Sequence, residues 1–210
     1  RTPLHTITGF SQLLLDGVEG ELEHEQQLDI RNILNAGHHL LSLLDDVVDL
    51  SKMESGMMAL SRGRVALEEG VQQALDAADG LREGKPVELT SELPPGLPPV
   101  FADETRLRQI LFNLVGNALK FTEAGTVRVR AGREEDGMLT VRVEDSGPGI
   151  PAGSLERVFD EFEQVHAGSR TAARGTGLGL AITRRLVEMH GGTIQAANRP
   201  EGGAVFCFSL

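Results

Sequence analysis

Cysteine is nearly missing from this chain. The 210 residues hold one, Cys207, so no internal disulfide can form and a reducing compartment fits. It sits in the apolar run Val205-Phe206-Cys207-Phe208, which reads as a strand with a buried thiol. Basic residues are also scarce: 20 Lys and Arg against 31 Asp and Glu give a net charge of −11. That balance argues against a nucleic-acid binder, because duplex affinity rests on Lys and Arg neutralising phosphates, so any anionic ligand must be held locally. No run of 18 or more apolar residues occurs, so no membrane contact is expected of these residues. The start, Arg1-Thr2-Pro3-Leu4, is neither an initiator Met nor a signal peptide, and the chain reads as a cytoplasmic piece of a longer protein. His24, His166 and His190 have no Cys or His partner at metal spacing, which speaks against a structural metal. What remains is ordinary for a globular chain, 40% hydrophobic and 24% charged, with length for one large domain or a small and a medium one.

Charge and periodicity divide the chain. Residues 1–60 carry ten Asp and Glu against Arg1, Arg31 and Lys52, a net of −7, which leaves −4 for the remainder. Ile30, Leu34, Gly37, Leu41, Leu44, Val48 and Ser51 recur in alternating steps of four and three, the seam of a long helix packing at coiled-coil angles. Leu4, Ile7, Phe10 and Leu14 mark a shorter helix before it, and Asp16-Gly17-Val18-Glu19-Gly20 reads as the turn between them. One helical hairpin cannot bury its own stripe. Two make a four-helix bundle, so a homodimer through residues 1–60 is expected. The run Glu19, Glu21, Glu23, Glu25 reads as a solvated loop and helix start, and His38 and His39 as packed or surface residues. After a hinge at 61–66 the pattern turns mixed: helices near 68–79, 103–119 and 178–190, strands at 87–90, 126–130, 139–143, 193–197 and 204–209. Residues 150–176 hold few periodic apolar positions, as a lid would.

Three clusters carry chemistry. Asn113, Asn117 and Lys120 stand at i, i+4 and i+7 on one helix face. Amide oxygens suit a hard cation such as Mg²⁺, which takes few protein ligands, and the ammonium suits a phosphate. A solvated helix face is the competing reading. Asp145-Ser146-Gly147-Pro148-Gly149-Ile150 follows a strand; its carboxylate could accept from an exocyclic amine such as that of adenine, or the segment is simply a turn. Gly175-Thr176-Gly177-Leu178-Gly179-Leu180 opens a helix whose free N–H groups make an anion site. Neither the P-loop nor the dinucleotide-binding fingerprint is met.

Taken in order, these segments resemble the motifs of sensor histidine kinases. Asn113 to Lys120 is similar to the N box, Asp145 to Ile150 to the first glycine box, Phe159-Asp160-Glu161-Phe162 to the F box and Gly175 to Leu180 to the second glycine box. Arg1-Thr2-Pro3-Leu4 with Ile7-Thr8-Gly9-Phe10 resembles the phosphoacceptor helix, and Gly202-Gly203-Ala204-Val205-Phe206 the final strand. The resemblance implies an α+β chain. Its helical hairpin, residues 1–60, would form a dimeric four-helix bundle for phosphotransfer, and residues 67–210 an ATP-binding α/β sandwich of the Bergerat (GHKL) type.

Residue roles follow from the same resemblance. Asn117 would coordinate Mg²⁺, with Asn113 and Lys120 near the phosphates of ATP. Asp145 would read the adenine amine while Gly147 and Gly149 give the base room. Phe159 and Phe162 would anchor the lid, and Gly175, Gly177 and Gly179 would supply its backbone donors and mobility. Ile150, Thr176, Leu178 and Leu180 complete the two glycine boxes and belong to the same site. The family often has two glycines before this Thr where the present chain has Arg174-Gly175, and Arg170 or Arg174 either reaches the terminal phosphate or is solvated. The family's acceptor precedes the Arg-Thr-Pro-Leu stretch, which places it upstream of Arg1; His5 is the weaker alternative. Thr2 would then help to position water for dephosphorylating a response regulator receiver domain. Two competing activities remain: ATP hydrolysis, as in gyrase-type and chaperone-type ATPases, and a non-catalytic scaffold. The ATPases place a Glu general base four residues before the metal-binding Asn, where this chain has Asn113, an amide that takes no proton.

Overall fold

The computed structural model describes residues 2–18, 20–82, 84–133, 138–164 and 176–210. Contacts divide the chain into two compact units, Arg1–Met57 and Met58–Leu210.

The first unit is a hairpin of α1 (Thr2–Leu15) and α2 (His24–Glu54). Gly17, at φ +72°, makes the turn after α1, a conformation that a side chain resists. The start of α2 is closed by Gln26, whose amide oxygen takes the Glu23 N–H at 3.0 Å, so part of the acidic run caps a helix. The two helices approach closely at Gly37, where a Cβ would lie 2.6 Å from Thr8 Cγ2. Thr8 tolerates burial because its hydroxyl donates back to the Leu4 carbonyl at 3.0 Å. Of the expected α2 stripe, Leu34 and Gly37 are buried and Ser51 is exposed. Within the single hairpin the apolar stripe of α1 stays uncovered. Thr8 and Ser11 are its buried residues, while Ile7 and Phe10 stand 47% and 59% exposed. Small side chains let the helices come together, and the larger ones are left facing outward.

The second unit is a two-layer sandwich. Its five-stranded sheet runs β2-β4-β5-β7-β6, from Val87–Glu92, Gly125–Arg133, Leu139–Asp145, Ala204–Ser209 and Ile194–Asn198 respectively. The β2–β4 pair is parallel and the others antiparallel, with Val129 opposite Val143 and Val143 opposite Phe206. Alternation puts Val127, Val129, Val141, Val143, Phe206 and Phe208 in the core. It puts Arg128, Arg130 and Cys207 on the other face, so the thiol is half-buried there rather than enclosed. On that face Glu92 pairs with Arg128 at 3.1 Å and with Arg130 at 2.7 Å. Helices α3 (Leu67–Asp79), α4 (Glu104–Phe121) and α5 (Gly179–His190) cover the core face, with α4 contacting both of the others. No described helix is long and apolar enough to cross a membrane.

Two short strands were not expected from the sequence. β1 (Gly63–Val65) pairs antiparallel with β3 (Val100–Ala102), so residues 61–66 hold a strand where a hinge was expected. Asp103 ties this segment to both main helices. Its Oδ1 accepts the Arg106 N–H at 3.1 Å as the N-cap of α4, and its Oδ2 accepts the Ser61 N–H at 2.8 Å. Its own N–H donates to His190 Nε2 at 3.0 Å, while His190 Nδ1 lies 2.8 Å from the Leu186 carbonyl. Nδ1 therefore donates and Nε2 accepts, which requires a neutral ring. Arg62 adds a bond to the Met189 carbonyl at the end of α5.

Candidate functional site

The buried row Leu107, Ile110, Leu111, Leu114, Val115, Ala118 and Leu119 orients α4, and its other side presents Asn113, Asn117 and Lys120, all half-buried. All three thus share one face, as their spacing requires. Asn113 Nδ2 donates to the Gly179 carbonyl at 3.3 Å and to Thr183 Oγ1 at 3.4 Å, tying α4 to the first turn of α5. Its amide oxygen has no partner among the described residues. Lys120 lies 5.1 Å from the centre of the Phe121 ring, and burial holds its pKa below the usual lysine value. No carboxylate pairs with it among the described residues. The end of α4 is held by a residue that sequence reasoning passed over: Lys85 Nζ reaches the carbonyls of Leu119, Lys120 and Thr122 at 3.2, 3.3 and 3.4 Å.

Asp145 closes β5 with 4% of its surface exposed. Oδ1 accepts N–H groups from Gly147 at 2.9 Å and Ala204 at 3.1 Å; Oδ2 accepts from no described residue. Burial pushes the Asp145 pKa above the usual carboxylate value, opposed by the Ala204 and Gly147 N–H groups and the Arg199 charge. The glycines here are required by close approach. A Cβ on Gly147 would lie 2.9 Å from the Phe121 carbonyl oxygen, so the end of α4 touches this loop directly. Gly149, at φ +76°, would put one 2.8 Å from Asn198 Oδ1. Ile150 follows, with both its main-chain groups bonded to the Asn198 amide.

The second Gly-rich loop opens α5. Thr176 Oγ1 accepts the Leu178 N–H at 3.0 Å, Leu178 is fully buried, and Gly179 and Leu180 are half-buried. Gly177, at φ +73°, packs against the backbone of Phe162, whose N–H donates to the Gly177 carbonyl at 3.0 Å. The two phenylalanines expected as lid anchors differ. Phe159 is buried and meets Phe206 edge-on, centroids 6.1 Å apart. Phe162 holds its ring 64% exposed on a backbone at φ +59°, and its bond to Gly177 is made by the main chain. Gly175, His166, Arg170 and Arg174 lie outside the described residues. Thr2 and His5 are exposed on α1 in the other unit.

The second unit thus brings an amide-lined helix face, a buried carboxylate with one open oxygen and an uncapped helix start to one side of a sandwich. Residues 102–210 match the family described as Histidine kinase-, DNA gyrase B-, and HSP90-like ATPase, and residues 1–56 match the His Kinase A (phospho-acceptor) domain. The chain belongs to the sensor histidine kinases. Among curated histidine kinases it is 37% identical to the autoinducer 2 sensor kinase/phosphatase LuxQ of Vibrio parahaemolyticus, over all of this chain and 25% of LuxQ. It is 39% identical to histidine protein kinase DivJ of Caulobacter vibrioides, over all of this chain and 35% of DivJ. The kinase core described here therefore spans about a quarter to a third of those relatives' length. Among solved structures, full-length ShkA in complex with AMPPNP matches the whole chain and 43% of its own, with a TM-score of 0.83 at 35% identity. As a histidine kinase core, the chain has a helical phospho-acceptor unit followed by an ATP-binding unit of the GHKL type.

Proposed function

We propose that this core transfers the γ-phosphoryl group of ATP to a histidine on the helical hairpin, from which it passes to an aspartate of a response regulator receiver domain. The observation that carries transfer over hydrolysis is Asn113. Where a hydrolase needs a carboxylate to take a proton from water, this chain has an amide whose nitrogen is committed to α5. An imidazole brings its own lone pair, so the site needs only to position and neutralise charge. A histidine nitrogen forms a bond to the γ-phosphorus, the bond to the leaving ADP oxygen breaks, and the imidazole proton is released.

The residues fit each part of Mg·ATP. Asp145 Oδ2 would take the adenine amine, Gly147 and Gly149 let the loop beside it pack closely against Phe121 and Asn198, and the N–H groups of Gly179 and Leu180 at the start of α5 would face the phosphates. Asn117 would hold Mg²⁺, with Asn113 beside it and Lys120 toward the phosphates; the bound ion would neutralise charge on the phosphate oxygens. The acceptor is the histidine that precedes Arg-Thr-Pro-Leu in the family order, with Thr2 one helical turn beyond it and suited to positioning water for regulator dephosphorylation. The exposed side chains Ile33, Leu40 and Val47, spaced every seven residues on α2, together with Ile7, Phe10 and Leu13 on α1, support a homodimer through residues 1–60. The cytoplasm supplies both the ATP and the reducing conditions that suit Cys207.

Labelling with γ-labelled ATP tests this reading, on this chain beside one extended at its start to include the family's acceptor segment. Acid-labile label in the extended chain alone is expected. Label in both that disappears in His5→Ala would move the acceptor to His5, and ATP binding with label in neither would favour a scaffold.

A further inference from the structure

Asp145 is supported from an unexpected direction. The turn between β6 and β7, with the first residue of β7, reaches it three times. Arg199 Nη1 donates to the Asp145 carbonyl at 2.9 Å, the Ala204 N–H donates to Oδ1 at 3.1 Å, and a Cβ on Gly203 would lie 1.9 Å from the Asp145 carbonyl oxygen. Asn198, the last residue of β6, extends this support to the loop beyond. Its Nδ2 donates to the Ile150 carbonyl at 2.6 Å and its Oδ1 accepts the Ile150 N–H at 2.7 Å. The side-chain amide thereby satisfies both main-chain groups of Ile150, as a neighbouring strand would. Between Asp145 and Ile150 the chain reads Ser-Gly-Pro-Gly, two of its residues without a side chain to pack. Gly147 is bonded to Asp145 itself, so Asn198 fixes the far end of the loop. Gly149, with its positive φ, lies directly against the Asn198 oxygen.

We propose that Asn198 is a positioning residue for base recognition: by clasping the main chain of Ile150 it holds the Gly147–Ile150 loop beside Asp145 and so sets the preference for a 6-amino purine. The inference rests on the reading of this unit as an ATP site with Asp145 at the base. The amide is suited to the task because a single planar group carries a donor and an acceptor in the spacing of a peptide, which neither a hydroxyl nor a carboxylate offers.

ATP and inosine triphosphate, which carries an oxygen in place of the 6-amino group, are titrated into the whole chain and its variants, with the nucleotide-free melting midpoint measured alongside. Asn198→Ala should bind ATP roughly tenfold more weakly, from the two lost hydrogen bonds to Ile150, while inosine triphosphate binding and the midpoint change little. Asn198→Asp, which keeps the acceptor and loses the donor, should fall between. Unchanged ATP binding in Asn198→Ala, or an equal loss for both nucleotides, overturns the inference. Asp145→Asn reports the underlying reading separately. If it leaves the ATP preference intact, the base contact at Asp145 is wrong; if it removes the preference and Asn198→Ala does not, only the role of Asn198 falls.

Discussion

The two units solve the problem of burial in opposite ways. In the hairpin, α1 turns Thr8 and Ser11 inward and leaves Ile7, Phe10 and Leu13 on the surface, and α2 likewise exposes Leu28, Ile33, Leu40 and Val47. In the sandwich, α4 alone buries Leu107, Ile110, Leu111, Leu114, Val115, Ala118 and Leu119 against its neighbours and a sheet of alternating valines. The hairpin leaves an apolar stripe uncovered, whereas the described helices and sheet of the sandwich bury a continuous core between them. This difference teaches where the chain depends on a partner: in the bundle that would accept phosphate, not in the unit that would hold nucleotide.

The largest effect should come from charging the uncovered stripe. Leu40→Glu with Val47→Glu removes two apolar side chains per protomer, each contributing about 2 kcal/mol when buried, and places carboxylates where burial is needed. Sedimentation should show a dimer becoming a monomer, with dimer affinity down by about three orders of magnitude or more, while the sandwich keeps its melting transition.

Within the sandwich, Phe159→Ala should cost about 3 kcal/mol in urea unfolding, from the lost burial against Phe206. Phe162→Asn should cost nothing and gain up to about 1 kcal/mol, because a ring that packs on little is replaced by a residue that tolerates φ above zero. A large loss at Phe162 would show that its exposed ring has a partner in the folded state.

The smallest effect contrasts two aspartates. Burial raises the Asp145 pKa, so the ionised group costs stability at neutral pH. That cost is relieved as pH falls through the raised folded value toward 3.8, over the interval in which protonation also removes the acceptor for an adenine amine. Asp103 is also pushed up by burial, but the N–H groups of Ser61, Arg106 and Thr105 and the Arg106 charge hold it below its usual value. Its contribution is present above pH 3.8 and is lost as pH falls through the lowered folded value. Mild acidification should thus weaken ATP binding before it weakens the fold. The binding change should vanish in Asp145→Asn, measured by titration from pH 7 downward.

Much of the sandwich was legible because its elements are long and periodic. The face of α4, the β4–β5 hairpin and the order of the Gly-rich segments could be read from spacing. The three-residue strands β1 and β3 carry no period, and the hinge expected at 61–66 fails for that reason. The inner face of α1 was not legible, because close helix approach at Gly37 selects small side chains that carry no hydrophobic signal. Asn198 and His190 act on partners 48 and 87 residues away, and no local pattern marks such bonds. Asp145 was singled out as a carboxylate beside glycines at a strand end and by the likeness of its segment to a glycine box, whereas nothing in the sequence marked the turn that supports it.

On the proposed reading the sandwich binds nucleotide by itself, without the partner protomer. Calorimetric titration of ATP into the monomeric Leu40→Glu, Val47→Glu chain tests that most directly. One ATP per chain with the affinity of the unsubstituted protein is the predicted result; a monomer that is folded yet fails to bind ATP would show that the site needs the partner and would contradict it.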